Sequence, residues 1–252
     1  MQILNLMIAY QREEGQIMAA SIQDELIAAC QQPGCPLCRL VQAGVQHYLQ
    51  NLFYESVNDI ELRQQLRHSL GFCHEHARLS LEPGVGDALG VSIVYNDILT
   101  NLLRRLPEPV PPAANEAGFF SRLRSNRSIG ASLQGLLEAL APKVACPACD
   151  QREELERIFC PALGGNLADE PLAQALQAGD GLCLPHLQRV ASEVKDEAGW
   201  LILLGSTRAR LESLQAELAE FVRKNDYRFH GESIGAERDA WQRAVRKVVG
   251  EG

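Results

Sequence analysis

No stretch of this sequence stays apolar for the length a membrane span needs, so no membrane insertion is expected. Basic residues are also short: 24 Lys and Arg stand against 32 Asp and Glu, a net charge of −8. Nucleic acids and anionic membranes demand the opposite balance, so neither is an expected partner. The one notable basic stretch, RLRSNRS at 122–128, is too short and isolated to change that. The opening MQILNLMIAY lacks a basic leader and runs straight into QREEG. No secretory signal is therefore expected, and a cytoplasmic location is. No segment alternates cleanly between apolar and polar residues with turn signals on both sides, which argues against a sheet. Phosphate-cradling glycine motifs, GxSxG and HExxH are all missing. What remains is an apolar fraction of 46% with 22% charged residues, the balance of a globular protein with a real core.

Cysteine is not scarce. The chain carries eight, and paired cysteines in a reducing compartment point to metal or redox chemistry rather than disulfides. Their placement repeats. ASIQDELIAACQQPGCPLC (20–38) aligns without a gap on ASLQGLLEALAPKVACPAC (131–149), and ELRQQLRHSLGFCHEH (61–76) aligns on PLAQALQAGDGLCLPH (171–186) after a one-residue deletion. An internal duplication of about half the chain explains two CxxC…CxxH sets in the same order. Between the copies His74 becomes Leu184 and Glu75 becomes Pro185, while Cys73 and His76 keep the partners Cys183 and His186. His74 and Glu75 are thus expected to face solvent or to stand behind the ligands.

Three thiols and one imidazole per copy suit a borderline-soft cation in a four-ligand shell. Taken in chain order, the expected sets are Cys35, Cys38, Cys73 and His76, and then Cys146, Cys149, Cys183 and His186. Pro36 and Pro147 fit the first position of a helix, and Gly71 and Gly181 suit a sharp turn into the next one. Two helix starts would then converge on each ion, and their dipoles favour thiolate. Zinc, two per chain, is the expected metal, with an iron–sulfur cluster as the competitor; cluster motifs crowd their cysteines more closely than this. Cys30 and Cys160 have no cysteine at the equivalent place and are expected in the core.

Helical periodicity runs almost throughout, and an all-α fold of two pseudo-symmetric modules follows, each pinned by a Cys3His site. The stripe Leu89, Ile93, Leu99, Leu102 and Leu106 is expected to pack, as are Trp200, Leu203, Leu204, Leu211, Leu214, Leu218, Phe221 and Val222 in the longer counterpart from about Asp196 to Lys224. The boundaries so drawn are an N-terminal extension 1–19, module one 20–106, a Pro-rich linker 107–129, module two 130–223 and a tail 224–252. The acidic stretches QREE and DQREELE are expected as solvated helix faces.

Two unduplicated segments are candidate ligand or docking sites. One is LFYESVND, with Tyr54, Glu55, Asn58 and Asp59; the other is KNDYRFH, with Lys224, Asp226, Tyr227, Arg228 and His230. The simplest account of the second is a turn that docks the last helix through Trp241.

With CPLC, NLFYESVND, GFCHEH, CPAC, GLCLPH and KNDYRFHGESIGAERDAWQRAV in view, the chain resembles a bacterial family catalogued as domain of unknown function 6062, from about Ala20 to Val249. That resemblance supports the boundaries and ligands and implies no reaction. The expected role is a non-enzymatic, zinc-stapled scaffold or adaptor for a protein or small ligand. The rival is a redox or iron–sulfur protein, or an enzyme with a site in a cleft between the modules.

Overall fold

A computed structural model of the chain describes residues 21–106, 133–229 and 231–250. The extension 1–19, the linker 107–129 and His230 lie outside the described residues. Every regular element among the described residues is helical, as the periodicity predicts. In chain order they are α1 (21–30), α2 (Pro36–Tyr54), α3 (Ile60–Ser69), α4 (His74–Leu79), α5 (Ala88–Arg105) and α6 (133–140). Then come α7 (Pro147–Gly165), α8 (Glu170–Ala178), α9 (Leu184–Glu193), α10 (Glu197–Lys224), a 3-10 turn at Ala236–Asp239 and α11 (Ala240–Val249). No described helix is long and apolar enough to cross a membrane.

The helix starts have local causes. Asp59, Asp87 and Asp196 each accept from a backbone N–H three residues on, at 2.7, 2.9 and 2.7 Å, which satisfies one orphan donor of α3, α5 and α10. Gly71 and Gly181, which precede α4 and α9, sit at φ of +94° and +69°, where any side chain would be strained. Cys73 and Cys183 then occupy the N-cap positions of α4 and α9, yet neither sulfur caps its helix. Both thiols are left for another use.

The chain divides into two compact units that are not successive halves. One takes the chain up to Gly44 and again from Arg152 onward; the other is Val45–Gln151. These limits cut across the modules 20–106 and 130–223 expected from the sequence, because both dividing points fall inside the 19-residue helices α2 and α7.

In the first unit Leu26, Leu37, Leu163, Leu172, Leu176, Val190 and Leu203 are all but completely buried, around Cys35, Cys38 and Cys183. At roughly 2 kcal/mol for each buried aliphatic side chain, this is the main favourable term for the unit. Cys30 and Cys160 belong to the same core, and burial pushes each thiol up to about 11. Both are inert packing, as expected.

In the second unit Leu49, Leu52, Phe53, Leu66, Val94 and Ile98 are buried, with the Phe53 and Phe72 rings 5.7 Å apart and tilted by 59°. Arg67 holds Asp97 through two hydrogen bonds of 2.7 and 2.9 Å and ties α3 to α5. The buried face of α5 differs from the expected stripe: Gly90, Val94 and Ile98 face inward, whereas Leu89 and Leu99 are 69% and 55% exposed. Gly90 decides this. A Cβ there would stand 2.0 Å from the Phe53 carbonyl oxygen, so α5 approaches α2 on the side that has no side chain. In α10 Leu203 is buried as expected, beside Gly199 and Ser206, whereas Trp200, Leu204 and Leu211 of the expected stripe are exposed.

Candidate metal centres

Eight side chains converge in two groups of four. Cys35, Cys38, Cys183 and His186 form the first, all buried; Cys73, His76, Cys146 and Cys149 form the second, with Cys73 and Cys149 only half-buried. Within each group the ligand atoms all lie within 4.8 Å of one another, and each group could hold a metal ion. Each group lies wholly within one unit.

The ligands are those expected from the sequence, but their grouping is not. Each CPxC pair meets not the CxxH pair that follows it but the other one. Each CPxC pair opens a 19-residue helix, α2 or α7, about 28 Å long at 1.5 Å per residue, which stands between it and the CxxH pair that follows.

Four helix starts supply the ligands. Cys35 and Cys146 stand immediately before the first residues of α2 and α7, Pro36 and Pro147, where the missing N–H costs nothing. Cys73 and Cys183 are the N-caps of α4 and α9. His76 and His186 stand three residues further on, one turn into each helix and facing the same way as the capping sulfur. Each centre therefore receives two helix N-termini, whose partial positive charge favours thiolate.

In the first centre His186 Nδ1 lies 3.2 Å from Cys183 Sγ, 3.3 Å from Cys38 Sγ and 3.5 Å from Cys35 Sγ. In the second, His76 Nδ1 lies 3.2, 3.4 and 3.5 Å from the sulfurs of Cys73, Cys146 and Cys149. Cys146 and Cys149 Sγ are 3.2 Å apart, far from the bond length of a disulfide, and all eight cysteines are free. Side chains this close compete for protons. Hydrogen bonds from Cys183 and then Cys38 hold Cys35 far below the ordinary thiol range. Burial, and then the neighbouring Cys146, push Cys149 up to about 12. Burial would lower His186, but the Cys183 and Cys35 sulfurs reverse this and hold it at about 10. A divalent cation at the centre would remove that competition by replacing the shared protons.

Behind the first centre stands a residue that pattern reading missed. Glu156 Oε1 is 3.5 Å from the buried His186 Nε2, while its Oε2 takes an ion pair from Arg189 at 2.6 Å. Nε2 itself has no hydrogen bond of good geometry. A carboxylate behind a ligating imidazole fixes its tautomer and ring orientation. Glu156 lies in DQREELE, expected as a solvated face, yet its side chain is only 13% exposed. The second copy carries no separate signal for it, because the first has Val45 at the aligned place. His74 and Glu75 are exposed and outside both groups, as the comparison of the copies predicts.

The two unduplicated segments supply no ligand to either centre. In LFYESVND, Leu52 and Phe53 are core, Asp59 caps α3, and Tyr54 is 82% exposed. In the tail, Lys224 donates to Glu237 at 2.7 Å and to the Ser233 carbonyl at 3.0 Å. Arg228 pairs with Asp226 at 2.7 Å, and Phe229 lies beneath the guanidinium groups of Arg223 and Arg228 at 4.7 and 5.6 Å. Tyr227 is 83% exposed. Trp241 is half-exposed and is not the anchor of α11; the buried Ala240 and the Lys224–Glu237 pair hold this end instead. Glu237→Gln should therefore melt several degrees earlier, because it leaves the 14%-exposed Lys224 ammonium with only the more distant Glu220 carboxylate, at 3.5 Å in place of 2.7 Å. Arg228→Ala and Tyr227→Phe should leave the melting temperature unchanged. Lys224, then the Gly235 N–H, hold the Glu237 carboxyl down at about 2. A carboxyl depressed in this way stabilises the fold above its unfolded pKa, near 4.3, and its contribution is lost as the pH falls from there towards about 2. The wild-type dock thus holds at neutral pH, and thermal melts from pH 7 to 2 follow its loss.

Comparison with known proteins places the chain. The model for the family of unknown function DUF6062 matches residues 14–252. The chain belongs to this family. The match spans all eight ligands of both centres. A relative in Caldicellulosiruptor sp. (strain Rt8B.4), described as an uncharacterized 23.9 kDa protein in the xynA 3' region, is 26% identical over 218 residues. That alignment covers 86% of this chain and 95% of the relative. No solved structure matches the chain.

Proposed function

We propose that both centres are structural zinc sites and that the protein is a non-enzymatic scaffold or adaptor of the reducing cytoplasm, serving another protein or a small ligand. The observation that carries this is the size and completeness of each donor shell. Zinc bonds of about 2.3 Å to sulfur and 2.0 Å to nitrogen give a tetrahedron with S–S edges of about 3.8 Å and S–N edges of about 3.5 Å. The Cys38–Cys183 and Cys73–Cys149 sulfurs are 3.6 and 3.7 Å apart, the Cys146–Cys149 pair is closer at 3.2 Å, and every sulfur–Nδ1 distance above falls between 3.2 and 3.5 Å. Four protein donors fill a tetrahedron, which is the character of a structural rather than a catalytic site.

Such an ion would join helix starts from segments far apart in the chain: Cys38 and Cys183 are 145 residues apart, Cys73 and Cys149 76. Ligands this remote would hold each unit closed on itself, and the chelation free energy would become folding free energy. An internal duplication supports the same picture: each CPxC precedes a 19-residue helix, and each CxxH opens a later one after a glycine of positive φ.

Protein purified without added metal should contain about two zinc equivalents, one for each closed four-ligand site. Its ligand thiols should react with a thiol reagent only after chelation. A brown protein containing iron and sulfide would replace zinc with a cluster. Thiols that react at once and cycle under mild oxidant would make it a redox protein.

A further inference from the structure

Beside the first centre, and wholly within the first unit, opens a cleft of about 210 Å³. Its floor is formed by Gly34, Cys35, Gly181 and Cys183, and α10 and α11 supply charged walls. Four cations line it, Arg210, Arg243, Arg246 and Lys247, in a chain whose acidic residues outnumber basic ones by 32 to 24.

The charges separate by partner. Arg243 is satisfied by carboxylates: its Nε donates to Asp239 at 2.9 Å and its Nη2 to Glu217. The other three have no carboxylate in ion-pair contact among the described residues. Arg210 Nη2 donates to the carbonyl oxygens of Gln177 and Ala178 at 2.6 and 2.8 Å, at the C-terminal end of α8. Lys247 Nζ donates to the carbonyl oxygen of Asp180 at 2.5 Å. The Arg246 guanidinium makes neither a hydrogen bond nor an ion pair among the described residues. The Asp180 carboxylate is itself engaged, accepting from the Gly34 N–H at 2.7 Å.

On the zinc reading above, three thiolates and one divalent ion leave the first centre with a single net negative charge. The carboxylates of Asp180, Glu217 and Asp239 also line the cleft, so together with the centre they balance its four cations, and what favours an anion is the placement of Arg210, Arg246 and Lys247, none of which meets a carboxylate among the described residues. The geometry points to a second binding site: we infer that this cleft takes a small dianion, a phosphoryl or dicarboxylate group, held by Arg210, Arg246 and Lys247. Carbonyl bonds hold Arg210 and Lys247 in place in advance, so little side-chain freedom is lost on binding. Arginine presents its remaining N–H groups in a fork that matches such oxyanions. The volume fits a compact metabolite and is too small for a protein segment.

The zinc-loaded full-length protein, titrated calorimetrically with inorganic phosphate or with malonate, tests this, with sodium chloride at matched ionic strength as the monoanion control. One dianion should bind saturably at one site and raise the melting temperature, and the tighter of the two names the ligand class. Arg246→Ala removes an exposed side chain with no structural bond and should weaken binding about tenfold, as loss of one charge-assisted contact does. Arg246→Lys should recover part of it, and Arg210→Met should lose at least as much. If neither dianion saturates, or if both alanine and methionine variants bind like wild type, the site does not exist. Zinc is measured in every sample: protein that binds the dianion but holds no zinc would overturn the structural-site reading and leave this one standing.

Discussion

A chain carrying both Cys38→Ser and Cys183→Ser should retain one of its two metal ions. Both sulfurs belong to the first centre, 3.6 Å apart, so the second substitution removes a ligand from a site already broken. The second centre keeps Cys73, His76, Cys146 and Cys149 intact. Pairing Cys73→Ser with Cys149→Ser should give the same count, because these sulfurs share the second centre at 3.7 Å. Cys38→Ser with Cys149→Ser breaks one ligand in each group and should lose both ions. Grouping in chain order would reverse the outcome for the first chain: Cys38 and Cys183 would lie in different sites and no metal would remain. Single substitutions cannot separate the two schemes, since each loses one ion in either. Metal counted by elemental analysis, beside the far-ultraviolet helix signal of the same sample, decides it. Two ions lost from the Cys38→Ser, Cys183→Ser chain with its helix signal intact would refute the crossed grouping.

Removal of both ions should abolish cooperative melting. A structural zinc site contributes an apparent 10–16 kcal/mol or so in small metal-dependent folds, comparable to or larger than the roughly 5–15 kcal/mol that separates a typical folded domain from its unfolded chain. Nothing else among the described residues is positioned to replace that contribution. The first unit is assembled from two stretches of chain, and Cys35 and Cys38 on one of them meet Cys183 and His186 on the other inside its core. Without a cation the sulfurs of each group crowd one another; at the half-buried Cys149 burial and then Cys146 push the thiol up to about 12, and the cheapest relief is to separate them. A high-affinity chelator at neutral pH should lower the helix signal by more than half and broaden the thermal transition, and added zinc should restore both. A metal-free protein with an unchanged melting curve would show that packing alone holds the units.

Of the expectations that failed, the crossed centres are the most instructive. Cys35, Cys38, Cys73, His76, Cys146, Cys149, Cys183 and His186 were legible as ligands because ligand chemistry is local: a thiol before a helix-starting proline, or an imidazole one turn beyond a capping cysteine, is set by a few neighbouring residues. Helices were legible for the same reason, through periodicity and the glycines that precede α4 and α9. The inward face of α5 was not, since Gly90 contributes nothing to an apolar pattern and acts only by letting the Phe53 carbonyl approach.

By itself, then, the sequence determined an all-helical chain, its family, and the eight side chains that could take metal, all properties of short windows or of residue identity. Tertiary structure alone decided which four ligands meet. A 19-residue helix, α2 or α7, separates each CPxC from the CxxH that follows it, and no spacing of cysteines records which pair the fold brings together. Tertiary structure also placed Glu156 behind His186 and Lys247 beside the first centre, because such contacts join residues that no local pattern relates.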